Sequence, residues 1–446
     1  MSNDRETIAA QAIEQALGAG RAVADVDTYR IAEFAPSSAA KPDSVDELSA
    51  VMREAHAAGL TVAPFGGGTR MALGNVPGPI DLAIDLTALD GVVSHSPADL
   101  TGTFQAGMTI SNLQRVLADQ GQFLPLDAPL PDRATIGGTL AAGVSGPLKW
   151  QFGNPRDLVI GMKVVQADGS VVKSGGQVVK NVSGYDMARL HIGGLGSLGI
   201  IAEVSFKLTP LPANEQTVIA SFETGDLCGR ASMALFRSHL PPLALTSFDQ
   251  RVASVAGLHQ MAGDRFLAIR LGGRPRTLER LTQEAKRLSQ ESGASGIETL
   301  EGGDAEDFWR KLSDFGWRPE DAPRFAIRIS VLPSETQRLI DTISSAQFPG
   351  LEPAVVGHPG YGNVMAYWFP DESETSHEAD KSVVESAWAA AASAGGSAII
   401  ERCPAELKVR VDVWGAVGGP RAIMERLKEQ YDPDGVLNPG RFVGGM

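Results

Sequence analysis

Three consecutive glycines, Gly66, Gly67 and Gly68, lie within Ala63-Pro-Phe-Gly-Gly-Gly-Thr-Arg70, directly after the short apolar run Leu60 to Ala63. A backbone without Cβ atoms reaches positive φ freely and can aim successive N–H groups at one point, which suits a phosphate or diphosphate. The loop carries no lysine, and Arg70 leads into Met71-Ala-Leu-Gly-Asn-Val-Pro-Gly-Pro79, a loop-forming stretch. A nucleotide-hydrolysing phosphate loop ends instead on Gly-Lys-Ser/Thr and runs into a helix, so that chemistry is disfavoured.

A second cluster of small residues, Ala134-Thr-Ile-Gly-Gly-Thr-Leu-Ala-Ala-Gly-Val-Ser-Gly146, reads as a helix start whose N–H groups can closely approach a phosphate or a flat ring. Gly194, Gly196 and Gly199 satisfy the spacing G-x-G-x-x-G, yet they follow a helix and open the predicted strand Ile200 to Thr209. A dinucleotide fold has the opposite order, strand then glycines then helix, so nicotinamide binding is rejected. Taken singly, each of these glycines also reads as an ordinary turn residue.

The remaining composition narrows the partners. Thirty-nine basic against 53 acidic residues give a net charge of −14, which disfavours nucleic acid and anionic lipid. Only Cys228 and Cys403 are present, so no disulfide framework, zinc site or iron–sulfur cluster is expected in this chain. The N-terminal residues lack a signal-peptide pattern, and no run approaches about 18 apolar residues. A cytoplasmic protein without direct membrane insertion is expected, any membrane association running through partner subunits.

The elements that must position these loops follow from pattern. Residues 1 to 35 read as an amphipathic helix, with Ile8, Ala12, Ala16 and Leu17 on its buried face, then a connector. Ser44 is the expected N-cap, with Glu47 completing a capping box, of a helix from Val45 to Ala58 that ends on Gly59. Strands are predicted at Leu60–Ala63, Leu82–Leu86 and Gly102–Gln105, a helix at Ile110–Asp119, and a hairpin from Leu158 to Val172 turning at Asp168-Gly169. Beyond Pro210-Leu-Pro212, strands at Val218–Phe222, Arg265–Leu271, Arg324–Val331 and Gly362–Trp368 alternate with helices near Thr277–Ser289, Ser334–Ser345 and Lys381–Ala394. That pattern predicts an antiparallel sheet covered by helices. The acidic stretch Asp371 to Asp380 reads as a solvated loop.

The glycine loop, Ala134-Thr-Ile-Gly-Gly138, Gly161-Met-Lys-Val-Val-Gln-Ala-Asp-Gly169, Lys180-Asn-Val-Ser-Gly-Tyr-Asp186, Gly196-Ser-Leu-Gly-Ile-Ile201 and Tyr431-Asp-Pro-Asp-Gly-Val-Leu-Asn-Pro-Gly-Arg441 occur in the order of a known family. They resemble FAD-linked oxidases of the vanillyl-alcohol oxidase superfamily. The tail, Asp412-Val-Trp-Gly415 then Leu437-Asn-Pro-Gly-Arg-Phe-Val-Gly-Gly445, is most similar to the FAD-binding E subunit of bacterial glycolate oxidase. The resemblance implies an α+β protein: a PCMH-type FAD-binding domain of two α/β subdomains at residues 36–212, an α+β cap with an antiparallel sheet at 213–411, and a segment, 412–446, returning to the FAD domain. Residues 1–35 stand apart as an N-terminal helical segment.

Carried over residue by residue, the resemblance places Phe65, Gly66, Gly67, Gly68 and Thr69 on the diphosphate, and Thr135, Gly137, Gly138, Gly143 and Ser145 along the pyrophosphate and flavin. Gly199, Ile200 and Ile201 would touch the cofactor through backbone, and Asn438 would return to it. Relatives that attach FAD covalently use a histidine in the glycine loop; none lies between His56 and His95, so noncovalent FAD is expected. In the cap, related 2-hydroxy-acid dehydrogenases carry Gly-His-x-Gly-Asp-Gly-Asn-x-His and a later Glu-His pair associated with a divalent metal. Here the matching segments are Gly357-His-Pro-Gly-Tyr-Gly-Asn-Val-Met365 and Glu401-Arg402, so Met365 and Arg402 replace two histidines. A thioether is a poor ligand for a hard cation, and no metal site is expected.

His358 remains as a base or as a plain structural histidine, and Arg402 as a cation for a substrate carboxylate. Arg324 and Arg328 share one face of a predicted strand, either as a solvated face or as a carboxylate clamp. Lys180 and Tyr185 are further candidates near the flavin, Tyr185 also reading as a packed loop anchor. With Glu401, the candidate catalytic set is His358, Arg402, Arg328 and Glu401. The resemblance implies an FAD-binding subunit of a glycolate oxidase-type complex that oxidises a small 2-hydroxy acid to the 2-oxo acid. Its partners would be a second FAD-linked oxidase subunit and an iron–sulfur subunit. A self-sufficient flavoenzyme and a non-catalytic subunit retaining the fold are the alternatives.

Overall fold

The computed structural model describes residues 2–176, 185–371 and 377–446. Its chain forms two units: Met1–Val144 with Asn154–Leu211 and Lys408–Met446, and Ser145–Gly153 with Pro212–Leu407. The N-terminal helix belongs to the first unit, and residues 145–153, expected in the FAD domain, belong to the second.

In the first unit, β1 (Ser38–Ala40), β2 (Val62–Phe65) and β3 (Leu82–Asp85) form a parallel sheet in the order β1-β3-β2. The helix Val45–Ala57 connects the first two. Ser44 Oγ caps it by accepting from Glu47 N at 3.2 Å, while the Glu47 carboxylate accepts from Asp43 N rather than from the cap residue. Leu48 and Met52 are wholly buried against this sheet, each worth about 1.5–3 kcal/mol. The helix Ser2–Leu17 joins the same core through Ala9, Ala12 and Ile13, and Ile8 is exposed. The buried stripe thus runs through positions 9, 12, 13 and 16, the i, i+3, i+4, i+7 spacing of a helix, one residue beyond the expected start at Ile8.

A second, antiparallel sheet has the order β4-β5-β9-β7-β8, from β4 (Val92–Ser96), β5 (Thr101–Gln105), β7 (Val159–Val165), β8 (Val171–Gly175) and β9 (Ile200–Lys207). The hairpin from β7 to β8 turns through Gly169 at φ 83°. The helices Ile110–Ala118 and Ile136–Ala141 pack on this sheet through Ile110, Leu113, Leu117, Ile136 and Leu140. Short strands β6 (Gln122–Phe123) and β10 (Thr209–Pro210) pair antiparallel.

The second unit is one antiparallel sheet of eight strands in the order β14-β11-β13-β12-β16-β17-β15-β18. The strands are β11 (Asn214–Phe222), β12 (Ala244–Asp249), β13 (Arg265–Gly273), β14 (Gly296–Glu301), β15 (Phe325–Ser330), β16 (Leu351–His358), β17 (Asn363–Pro370) and β18 (Ser397–Arg402). Val218, Ala220, Leu267 and Ile269 face the helices Gly225–Arg237 and Pro275–Glu291. Ile219, Phe248, Phe266 and Ala268 point the other way, onto the helices Gln250–Val255 and Gly302–Asp314, as the two-residue period of a strand requires. Asp380, placed by its sequence in a solvated loop, lies on the helix His377–Ser393, is buried, and holds Arg324 through two hydrogen bonds of 2.7 and 2.6 Å.

Candidate functional site

In the first unit the end of β2 and the glycines after it meet the start of the helix Ile136–Ala141 and the start of β9 around a cleft. Phe65, Gly66, Gly67, Gly68, Thr69, Thr135, Gly137, Gly138, Ile200, Ile201 and Asn438 all line it, together with Arg441. A Cβ on Gly66 would sit 2.3 Å from Thr135 Oγ1, and one on Gly67 would sit 1.7 Å from the Arg133 carbonyl oxygen. Only glycine fits at these two positions. Thr135 Oγ1 also caps its helix by accepting from Gly138 N at 3.2 Å, and Arg133 Nη2 donates to the Gly67 carbonyl at 3.2 Å. Phe65 is fixed edge-on against Tyr29, whose hydroxyl donates to Asp85 at 2.9 Å.

The C-terminal segment completes this wall. Val62 N donates to the Val436 carbonyl at 2.7 Å and Asn438 N to the Val62 carbonyl at 2.8 Å, so the tail runs parallel to β2. Asn438 itself is at φ 47°, and its amide donates to the Leu195 carbonyl. Arg441 is buried, and burial pushes its pKa down to about 10.

Three expected cofactor residues are not among those lining the cleft. Gly143, at φ 64°, faces the backbone of Gly193, because the chain there is closing its helix rather than presenting N–H groups to the cleft. Gly199 abuts Val164, with a Cβ there meeting its Cγ1 at 2.5 Å, and Ser145 belongs to the second unit. Beside Gly199 lies His191, buried with Nδ1 lacking a partner among the described residues and its pKa pushed down to about 4 by burial. Tyr185 is 92% exposed and anchors no packed loop. Lys180, with most of its motif, lies outside the described residues.

In the second unit, strand register gathers the expected catalytic residues on one face of the sheet. Arg328 pairs with Met365 and Met365 with Val356, while Ala326 pairs with Arg402. His358 follows Val356 by two residues and shares its face. A register shift at Ala326/Ile327 accommodates Glu401, which is buried and accepts from Arg328 Nε at 2.6 Å. Arg328 is therefore neutralised within the chain, as Arg324 is by Asp380. Arg402 is half-buried with Nε lacking a partner among the described residues, and burial lowers its pKa.

His358 has a different character from a general base. Its Nδ1 lies 3.1 Å from Thr246 Oγ1, and its ring stacks on Tyr361 at 5.2 Å and 20°. Lys149 Nζ stands 4.7 Å over the other ring, and the Tyr361 hydroxyl donates to the Gly146 carbonyl at 3.0 Å. Burial, helped by the Lys149 charge, pushes the His358 pKa down to about 3. A base should titrate near the working pH, so this imidazole is a neutral hydrogen-bonding group and the structural reading of His358 is favoured. Lys149 and Tyr361 were not foreseen; the one visible signal was Tyr361 standing where the related motif has aspartate.

Comparison with known proteins bears on both units. The model of the family described as FAD binding domain matches residues 36–175, and that described as FAD linked oxidases, C-terminal domain, matches residues 211–401. The chain belongs to the FAD-linked oxidases. Glycolate oxidase subunit GlcD of Bacillus subtilis is 26% identical over 95% of this chain and 92% of its own length. D-2-hydroxyglutarate dehydrogenase of Xanthomonas citri is 27% identical over 91% and 89%. Glycolate oxidase subunit GlcE of Escherichia coli is 36% identical, but over only 29% of this chain and 37% of its own length. The solved structure of p-cresol methylhydroxylase superposes with a TM-score of 0.77 at 16% identity, covering 98% of this chain and 96% of that one, which makes the fold PCMH-type.

This FAD-linked oxidase is an oxidoreductase with FAD as its cofactor, and the cleft fits that cofactor. Its lining includes Gly66 to Gly68, the polar residues Thr69, Thr135 and Asn438 and the basic residues Arg70 and Arg441, with no aspartate or glutamate among the described lining residues. A glycine cradle without negative charge suits a diphosphate. The described lining contains no histidine, so it offers no histidyl attachment.

Proposed function

We propose that this chain is the FAD-binding subunit of a glycolate oxidase-type complex that oxidises a small 2-hydroxy acid, such as glycolate or D-lactate, to the 2-oxo acid. The carrying observation is Arg402, a half-buried guanidinium whose Nε has no partner among the described residues, on the sheet face where Arg328 is already neutralised by Glu401. Such a fork is suited to a carboxylate. When bound, FAD supplies the two-electron acceptor for the hydrogen on the substrate carbon.

The phosphate side of the cofactor would rest on Gly66, Gly67, Gly68 and Thr69, its flat ring on Thr135, Gly137, Gly138, Ile200 and Ile201, with Asn438 closing the wall. Arg402 would anchor the carboxylate, Arg328 and Glu401 would fix the strand that carries it, and His358 would hold its hydrogen-bonding position without changing charge. The likeness to GlcD and GlcE supports a partner FAD-linked subunit. Cys228 and Cys403 are both buried, so an iron–sulfur centre of such a complex would sit on a separate chain. No helix among the described residues is long and apolar enough to cross a membrane.

The test is anaerobic mixing of the FAD-loaded protein with excess glycolate or D-lactate while following flavin absorbance near ~450 nm. An unchanged spectrum that bleaches on adding partner subunits supports the subunit reading. Bleaching by the chain alone replaces it with the self-sufficient enzyme, and failure to take up FAD replaces it with a non-catalytic subunit.

A further inference from the structure

Two buried cations from the C-terminal segment stand behind the loop that follows the glycine cradle. Arg441 Nη2 donates to the carbonyls of Leu73 and Met71 at 2.6 and 3.1 Å, and Nη1 to Asn438 Oδ1 at 3.4 Å. Lys408 Nζ donates to the carbonyls of Ala72 and Gly74. Four successive carbonyls thus turn toward the tail.

Every oxygen that Arg441 contacts is neutral, and its Nε is buried with no partner among the described residues. The side chain is 2% exposed and lines the flavin cleft. Burying a guanidinium without a carboxylate is costly, and carbonyl dipoles compensate it only in part. The missing counter-charge therefore belongs to a ligand of the cleft.

We propose that Arg441 is a cofactor-binding residue whose buried charge is matched by the diphosphate of FAD. The proposal rests on FAD as the occupant of this cleft. It separates two roles for the arginine: holding the loop Met71 to Gly74 in place, which any flavin would sense, and supplying charge, which only a phosphorylated flavin senses.

The experiment measures binding of FAD and of riboflavin to the apo-protein by quenching of flavin fluorescence, for wild type, Arg441→Gln and Arg441→Lys. Glutamine keeps a donor for the carbonyls and loses the charge; lysine keeps the charge. Arg441→Gln is expected to weaken FAD by about 10- to 100-fold while riboflavin changes less than about threefold, and Arg441→Lys to restore most of the FAD affinity. Equal weakening of both flavins, or no weakening of FAD, overturns the proposal and leaves the FAD assignment standing. Wild-type protein that takes up no FAD overturns both.

Should Arg441→Gln fail to fold, inorganic pyrophosphate on wild-type apo-protein decides. A rise in melting temperature that is competed by FAD is expected, and no rise overturns the proposal.

Discussion

His191 makes the stability of the FAD-binding unit fall with acid. Its ring is buried beside Gly199, edge-on to Tyr431, with Nδ1 unpartnered among the described residues and a pKa of about 4 against an ordinary 6.5. The unfolded chain binds a proton below about pH 6.5 while the folded one resists it, so unfolding becomes easier as pH falls from about 6.5 toward 4 and the loss saturates below that. Between about pH 7.5 and 5.0 this amounts to about 2 kcal/mol from His191 alone.

The perturbation is His191→Gln, which removes the titration at similar volume and strands no hydrogen-bond partner of Nδ1 among the described residues. Urea unfolding of the FAD-loaded protein, followed by release of flavin fluorescence, gives the stability of wild type and variant at both pH values. His358 and the carboxylates contribute to both curves and cancel in the difference. Wild type is expected to lose about 2 kcal/mol more than the variant on acidification. Parallel losses would refute the assignment of a neutral buried imidazole at this position.

Other perturbations probe the rest of the site. Gly67→Ala drives a Cβ to 1.7 Å from the Arg133 carbonyl, so the loop must shift at a cost of at least about 1–3 kcal/mol and the purified protein should be depleted of FAD. Gly303→Ala, with no atom within 4 Å of its Cβ, is the control, and retention of full FAD by both variants contradicts the cradle geometry. Arg402→Gln should raise the substrate concentration needed for half-maximal flavin reduction about tenfold or more in the assembled complex, with FAD content unchanged; an unaltered concentration dependence removes Arg402 from carboxylate binding. Treatment with a chelator should leave flavin reduction intact, since the described residues hold no group of three metal-ligating side chains; a loss reversed by adding a divalent cation would contradict this.

The flavin cleft was legible because it is built from backbone, and backbone demands leave glycine in the sequence: Gly66 and Gly67 are spelled out by the space denied to a side chain. Arg441 escaped notice because its role depends on burial, and Asn438, at the far end of the chain from the glycine loop, was reached only through resemblance. In the second unit, alternation pointed to Arg324 and Arg328 but could not show that Arg324 precedes β15 or that Asp380 and Glu401 pair with the two arginines. Those acids come from a helix and a strand 56 and 73 residues further along, and pairing at that range leaves no local pattern. The demotion of His358 is likewise a matter of three-dimensional neighbours: Thr246 and Lys149 lie outside its motif, and Tyr361, inside it, signals only by standing where the related motif has aspartate.

The parallel pairing of the tail with β2 also sets an order of events during synthesis. A ribosome makes β2 early and the segment around Asn438 more than 370 residues later, with the whole second unit emerging between them. At roughly 5–20 residues per second, that leaves the first sheet waiting on the order of 20–75 s with one flank of its cofactor wall missing. FAD capture is therefore a late step, and translation products halted before the tail should emerge colourless.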